Sequence, residues 1–242
     1  MTTESELREQ LATCTRIFAM QGMIGLFGHV SAYQPETKKI FITPGMGSDK
    51  ANLRAADLVS MDSDGQALDG EGRPPVEWPI HTVLHAARAD ALAVVHLHTP
   101  YATLFAIAKR EFRPVTLQGA IFAEGVPLYS EAHLITTPAR GKRLVEVIGG
   151  KRAALLRAHG IVVVGKSLPE ALFASLVLED DAKKSMQAAS LGPLGTISPE
   201  ECRDFGAEIA LERRAQRAWD HFSRLEARWD RQPATGRSEL FP

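Results

Sequence analysis

The sequence predicts a single α/β domain with a helical C-terminal appendage. Short apolar, β-branched runs such as ALAVVHLH and IVVVG alternate with longer stretches of helical periodicity. No shift of composition marks a linker before residue 190, and no internal repeat is present. The 242 residues suffice to bury a sizeable core, and 45% apolar against 24% charged residues is the balance of a soluble globular chain.

Taken in order, Thr3 and Glu6 match a capping box that opens a helix to about Met20, with Leu7, Leu11, Cys14, Ile17 and Phe18 as its buried stripe. After Gly22, Gly25 and Gly28 come two strands, HVSAYQ and KKIFIT, the second ending in the turn Pro44–Gly45–Met46–Gly47. LVSMD reads as a strand, and Asp62 to Gly72 as a loop. Glu77 to Ala89 reads as a helix, ALAVVHLH as a strand and Tyr101 to Lys109 as a helix. PVTLQG, VPLYS, AALLRA and IVVVG read as further strands, with a helix at Arg140–Ile148 between them. Ser167 and Glu170 cap a long helix from Leu168 to Ala189. Past a break at Gly192–Gly195, Pro199 to about Trp229 is one amphipathic helix bearing Phe205, Ile209, Leu211, Trp219 and Phe222. The final dozen residues read as a loose tail. The expected division is 1–195 for the domain and 196–242 for the extension.

Charge and motif content narrow the function. Lys plus Arg is 28 and Asp plus Glu 29, a net charge of −1, which argues against a nucleic-acid coat or a polybasic membrane patch. No apolar run reaches the ~18 residues that span a bilayer. The start MTTESELREQLA lacks the basic and apolar regions of a signal peptide, and Cys14 and Cys202 sit in no metal or redox motif, so a cytoplasmic setting is expected.

Histidines carry the chemical signal. In VVHLHTP, His96 and His98 are two apart on a strand, which puts both imidazoles on one face and suits a shared metal. His159, in RAHG, ends another apolar strand, and the glycine after it permits a sharp turn. Three neutral imidazoles with an open position is a common catalytic-metal arrangement. Glu77, His81 and His85, spaced by four, share one face of a helix and form either a rival metal site or a hydrogen-bonded stripe. Glu77 near a metal would ligate it or move a proton. GIVVVGKS, Gly160 to Ser167, has the spacing of a phosphate-binding loop. Its Ile161 and three valines favour a strand instead, so nucleotide hydrolysis is not expected.

In this order, FGHVSAY, FITPGMGSDKANLRAADLVSMD, EWPIH, ALAVVHLHTP and LLRAHGIVVVGKSLPEAL resemble the class II aldolase/adducin family, from about Ala12 to Met186. The resemblance implies a three-layer α/β/α sandwich around a mixed, largely antiparallel sheet, and a homotetramer acting on a small-molecule substrate. It makes His96, His98 and His159 the metal ligands and Glu77 the catalytic carboxylate. Three histidines suit Mn, Zn, Fe or Co alike.

Departures from the pattern bear on substrate. Sugar-phosphate aldolases of the family carry asparagine where this chain has His29, a serine pair where it has Pro75 and Val76, and Thr-Gly or Ser-Gly where it has Gly45–Met46. Losing several charge-assisted hydrogen bonds, at roughly 1.5–3 kcal/mol each, disfavours a phosphorylated substrate. The G-H-V-S version resembles a subgroup that decarboxylates hydroxylated aromatic acids. There His29 either caps a turn or binds substrate, with Ser31 in support; Lys50 and Arg54 are candidate anion partners. Tyr129 and Glu131 sit where the aldolases carry a proton-transferring tyrosine. The expected activity is metal-dependent decarboxylation. The alternatives are an aldolase on a non-phosphorylated hydroxy-acid, a metal-dependent oxygenase, or a non-enzymatic adducin-like scaffold.

Overall fold

The computed structural model describes residues 2–45, 47–69, 72–208 and 210–229. Met46, Ile209 and the expected tail after Trp229 lie outside them. Helix α1 (Glu4–Met20) starts on the full capping box of Thr3 and Glu6 and buries Leu11, Cys14, Ile17 and Phe18. A meander follows: β1 (His29–Gln34), β2 (Lys39–Ile42), β3 (Val59–Met61) and β4 (Ala67–Asp69). After α2 (Trp78–Ala87) and β5 (Ala93–Leu97) come α3 (Ala102–Ala108), β6 (Leu128–Tyr129), α4 (Pro138–Ile148), β7 (Ala153–Leu156), β8 (Gly160–Gly165) and α5 (Leu168–Ala189). The chain then forms α6 (Pro199–Glu208) and α7 (Leu211–Trp229).

The eight strands form one sheet in the order β4-β3-β2-β1-β5-β8-β7-β6, antiparallel except for the parallel β6–β7 pair. Strand periodicity divides the core in two. Ala93, Val95, Leu97, Leu155, Ile161 and Val163 face the layer of α1, α3 and α5. Val94, Ala154, Leu156, Val162 and Val164 face Ile80 and Leu84 of α2 and Leu144 and Ile148 of α4. The result is an α/β/α sandwich. Gly160 to Gly165 is a buried strand and not a phosphate loop.

Three expectations are corrected. PVTLQG is no strand: the amides of Val115 and Thr116 donate to the Asp181 carboxylate of α5 at 3.0 and 2.8 Å, so they are unavailable to a ladder. Within the expected loop from Asp62 to Gly72 lies β4, an exposed edge strand. Its turn is built by Asp62, whose carboxylate accepts the amides of Asp64 and Gln66. The C-terminal helix is two helices, α6 and α7. Helix α7 lies against α1 and α5 of its own chain, with Trp219 and Phe222 packed on the core and Arg16 paired to Glu226 at 2.6 Å. No described helix is long and apolar enough to cross a membrane.

Candidate metal centre

The centre forms where β1, β5 and the β7–β8 turn meet the start of α2. β1 pairs with β5 in a register that sets His29 opposite His96 and Ser31 opposite Val94, all on the α2 side of the sheet. His29 is thus a strand residue and caps no turn; Gly28, at φ +95°, delivers the chain into the strand. The neutral His96 ring donates Nδ1–H to the Ile161 carbonyl at 3.0 Å, since a carbonyl only accepts. Its Nε2 lone pair is left facing the cluster, a common way of orienting a ligand imidazole. His98 lies just beyond the strand end. Its ring is stacked under Phe27, with centroids 5.5 Å apart.

His159 arrives through the β7–β8 hairpin turn, where Ala158 takes a left-handed φ of 55° that costs a residue with a Cβ about 1 kcal/mol. The chain closes against β5 because Gly160 has no side chain: a Cβ there would stand 2.2 Å from the Leu97 carbonyl oxygen. Among the described residues neither ring nitrogen of His159 has an aligned hydrogen-bond partner, although both are buried.

Glu77 is the residue just before α2 and not its first turn, so it does not share a helical face with His81 and His85. The Ile135 amide holds its Oε1 at 2.8 Å. Its Oε2 points among the imidazoles, 3.3 Å from Nε2 of His159, 3.6 Å from that of His96 and 4.0 Å from that of His29. Burial pushes the Glu77 carboxyl up; His159, His96 and the Ile135 amide more than offset this and bring it down to about 2. Burial, helped by the neighbouring His159, lowers His98 to about 4, and burial drives His96 well below its usual range. Neutral imidazoles are what metal ligation requires.

One donor atom each from Glu77, His96, His98 and His159 lies within 4.8 Å of the others, and Nε2 of His96 and His98 are 3.1 Å apart. Tetrahedral bonds of about 2.0–2.1 Å place ligand atoms roughly 3.3 Å from one another. The donor set therefore fits a divalent cation. A cation would also give the buried Nε2 of His159 a partner.

The other sequence candidates fall outside this cluster. His81 and His85 form no metal site with Glu77; both rings bond to Ser31. Ser31 is fully buried and lies behind the cluster. Arg54 is exposed and paired with Asp57 at 2.8 Å. Glu131 is tied to His133 and, at 2.8 Å, to Arg143. Lys50 behaves differently: it is 3% exposed, its described partner is the Ser48 hydroxyl at 3.0 Å, and its charge reaches His29. Phe27, the first residue of the FGHVSAY motif, joins the site through its ring contact with His98, a contact that its place two residues before His29 hints at.

An α/β/α sandwich that gathers three imidazoles and a carboxylate at one end of its sheet has the build of a metal-dependent lyase. The chain belongs to the family described as Class II Aldolase and Adducin N-terminal domain, which its residues 9–186 match. It is 30% identical over 220 residues to a 3,4-dihydroxyphthalate decarboxylase of Rhodococcus jostii (strain RHA1), covering 84% of this chain and 90% of that one. A 4-hydroxy-3-prenylphenylpyruvate oxygenase/4-hydroxy-3-prenylbenzoate synthase of Streptomyces roseochromogenus subsp. oscitans is 28% identical over 208 residues, 84% of this chain and 75% of that one. Among solved structures, an L-fuculose 1-phosphate aldolase superposes with a TM-score of 0.78 at 25% identity, covering 86% of this chain and 97% of that one.

Proposed function

We propose that the protein is a metal-dependent carboxy-lyase that removes CO2 from a non-phosphorylated, hydroxylated aromatic carboxylate or dicarboxylate. The wall of the site carries this reading. Phe27, stacked on the His98 ring, is 54% exposed, and Val76, next to Glu77 in the chain, is 69% exposed, apolar surface suited to a flat ring. Val76 and Pro75 offer no side-chain donor to a phosphate, and the Gly45 amide is spent on the Arg73 carbonyl. Lys50 supplies a single buried cation, matched to a carboxylate. The decarboxylase relative points the same way.

His96, His98 and His159 would hold the ion, whether Mn, Zn, Fe or Co. Bound there, it would draw negative charge onto the substrate's oxygens and so ease cleavage of the neighbouring bond. Glu77 starts as a carboxylate. One oxygen is anchored by Ile135, and the other takes the proton of the substrate's ring hydroxyl. The bond to the departing carboxylate breaks, its electron pair stays on the ring carbon and CO2 leaves. Glu77 then returns its proton to that carbon, and the ring oxygen regains one from water. Lys50 orients the carboxylate, and His29 faces a second polar substituent of the ring. Residues 196–242 act as an extension to the catalytic domain of residues 1–195, and the chain assembles as a homotetramer.

The test is product analysis over a panel of hydroxylated aromatic dicarboxylates and hydroxy-acids, with Mn or Zn restored to chelated protein. Metal-dependent CO2 release is expected. Aldehyde without CO2 would place the protein with the aldolases. Oxygen uptake would place it with the oxygenase relative, and protein that binds no metal would revive an adducin-like scaffold.

A further inference from the structure

Behind the centre runs a chain of buried polar groups of which the steps above use only the front end, His29 and Glu77. It begins at the Ala91 carbonyl, which His85 Nδ1 contacts. His85 Nε2 lies 2.8 Å from Ser31 Oγ, and Ser31 Oγ lies 2.6 Å from His81 Nδ1. His81 Nε2 lies 2.6 Å from His29 Nδ1, and His29 Nε2 ends the chain 4.0 Å from Glu77 Oε2. Ser31 and His81 are fully buried, and His29 and His85 nearly so, which leaves no room for water to interrupt the contacts.

Each link of this chain is forced by the one before. The Ala91 carbonyl can only accept, so His85 carries its proton on Nδ1 and its neutral ring presents a lone pair at Nε2. Ser31 must then donate its single O–H to His85. Its oxygen is left to accept from Nδ1–H of His81. His81 now has a lone pair at Nε2, which accepts from Nδ1–H of His29. Any other placement sets two protons or two lone pairs against each other at one of the four hydrogen-bonded links, or puts a charge on a buried ring. Burial, the largest influence on all three rings, favours their neutral forms.

We infer that Ser31, His81 and His85 are positioning residues that fix the His29 proton on Nδ1, so that His29 presents a bare Nε2 as hydrogen-bond acceptor to a substrate hydroxyl other than the one whose proton Glu77 takes. The identity of that hydroxyl rests on the proposed function; the proton placement does not. An asparagine at position 29 would offer the site both an amide donor and a carbonyl acceptor, whereas a histidine backed by this relay offers an acceptor alone. The chain would therefore select substrates that bring an O–H to this point.

The experiment is a side-chain 1H–15N correlation spectrum of the full zinc-loaded protein with 15N-labelled histidine, assigned by single-histidine substitutions. His29, His81 and His85 are expected to be protonated at Nδ1 and bare at Nε2. In Ser31→Ala, which keeps the volume and cuts the chain, His29 is expected to populate both tautomers while zinc content stays at that of the wild type. On a hydroxylated substrate turnover should fall about 10- to 100-fold, as expected for a misplaced catalytic contact. A protonated Nε2 on His29 in the wild type overturns the inference, as does an unchanged His29 tautomer in Ser31→Ala. The wild-type spectrum decides alone if the variant does not fold. If the tautomers are as stated but no hydroxylated acid is turned over, the proposed function fails and the relay stands.

Discussion

One methyl group added at Gly160 probes how the β7–β8 turn seats the third imidazole. The new Cβ of Gly160→Ala would lie 2.2 Å from the Leu97 carbonyl oxygen and 3.3 Å from the His98 ring. A relaxed carbon–oxygen contact is about 3.3 Å, so the two strands must part by roughly 1 Å. Leu97 is the partner of Ile161 and stands between His96 and His98, so the shift acts on all three imidazoles at once. Overpacking costs about 1–3 kcal/mol, and the upper end applies because the obstacle is backbone and not a flexible side chain. In a chain of this size each kcal/mol lowers Tm by about 2–4 °C, which gives a fall of about 6–12 °C. Turnover should drop about 100-fold for a 1 Å displacement. The assay is thermal unfolding with metal titration. Gly195→Ala serves as control, because a Cβ there meets nothing within 4 Å. A Gly160→Ala protein with wild-type Tm and metal affinity would refute the reasoning.

Other outcomes follow from the same geometry. Glu77→Gln should keep its metal and lose turnover by about 10²- to 10⁴-fold, whereas His96→Ala and His159→Ala should lose both; metal analysis beside steady-state rates separates the two. Lys50→Met removes a buried cation without an anionic partner among the described residues, so Tm should hold or rise while KM increases about 10- to 100-fold. A falling Tm with unchanged KM would count against the carboxylate anchor. Acid should destabilise the metal-free protein. Burial holds His85 at about 4 in the fold, against about 6.5 when unfolded, so between those values the unfolded chain binds the extra proton. Stability is then full above pH ~6.5 and falls as pH drops towards 4, by about 3 kcal/mol in all for this residue. Urea midpoints that match at pH 7 and pH 5 would contradict this.

Much of the fold is written locally. His96 and His98 come together because the chain stays close to extended where β5 ends, one residue before His98, and Ile161 to Val164 choose a strand over a phosphate loop by β-branching alone. What the sequence hides is settled by distant partners. Residues 114–119 look like a strand until Asp181, on α5, takes the amides of Val115 and Thr116. Glu77 looks like the first turn of a helix that begins one residue later, at Trp78, and so the stripe it was expected to share with His81 and His85 does not exist. Ser31 shares a strand face with His29, as its spacing says. Its burial between two imidazoles depends on α2 packing over β1, which no local pattern encodes. The gathering of Glu77, His96, His98 and His159 was thus readable from residue type and order, while the placement of Ser31, His81 and His85 behind that cluster came from tertiary packing.

The centre itself is tested most directly by an anomalous difference map from crystals of the manganese-loaded protein. One peak per chain, within about 2.0–2.3 Å of Nε2 of His96, His98 and His159 and next to Oε2 of Glu77, is the predicted result. A peak between His81 and His85, or none at the three imidazoles, would contradict the account.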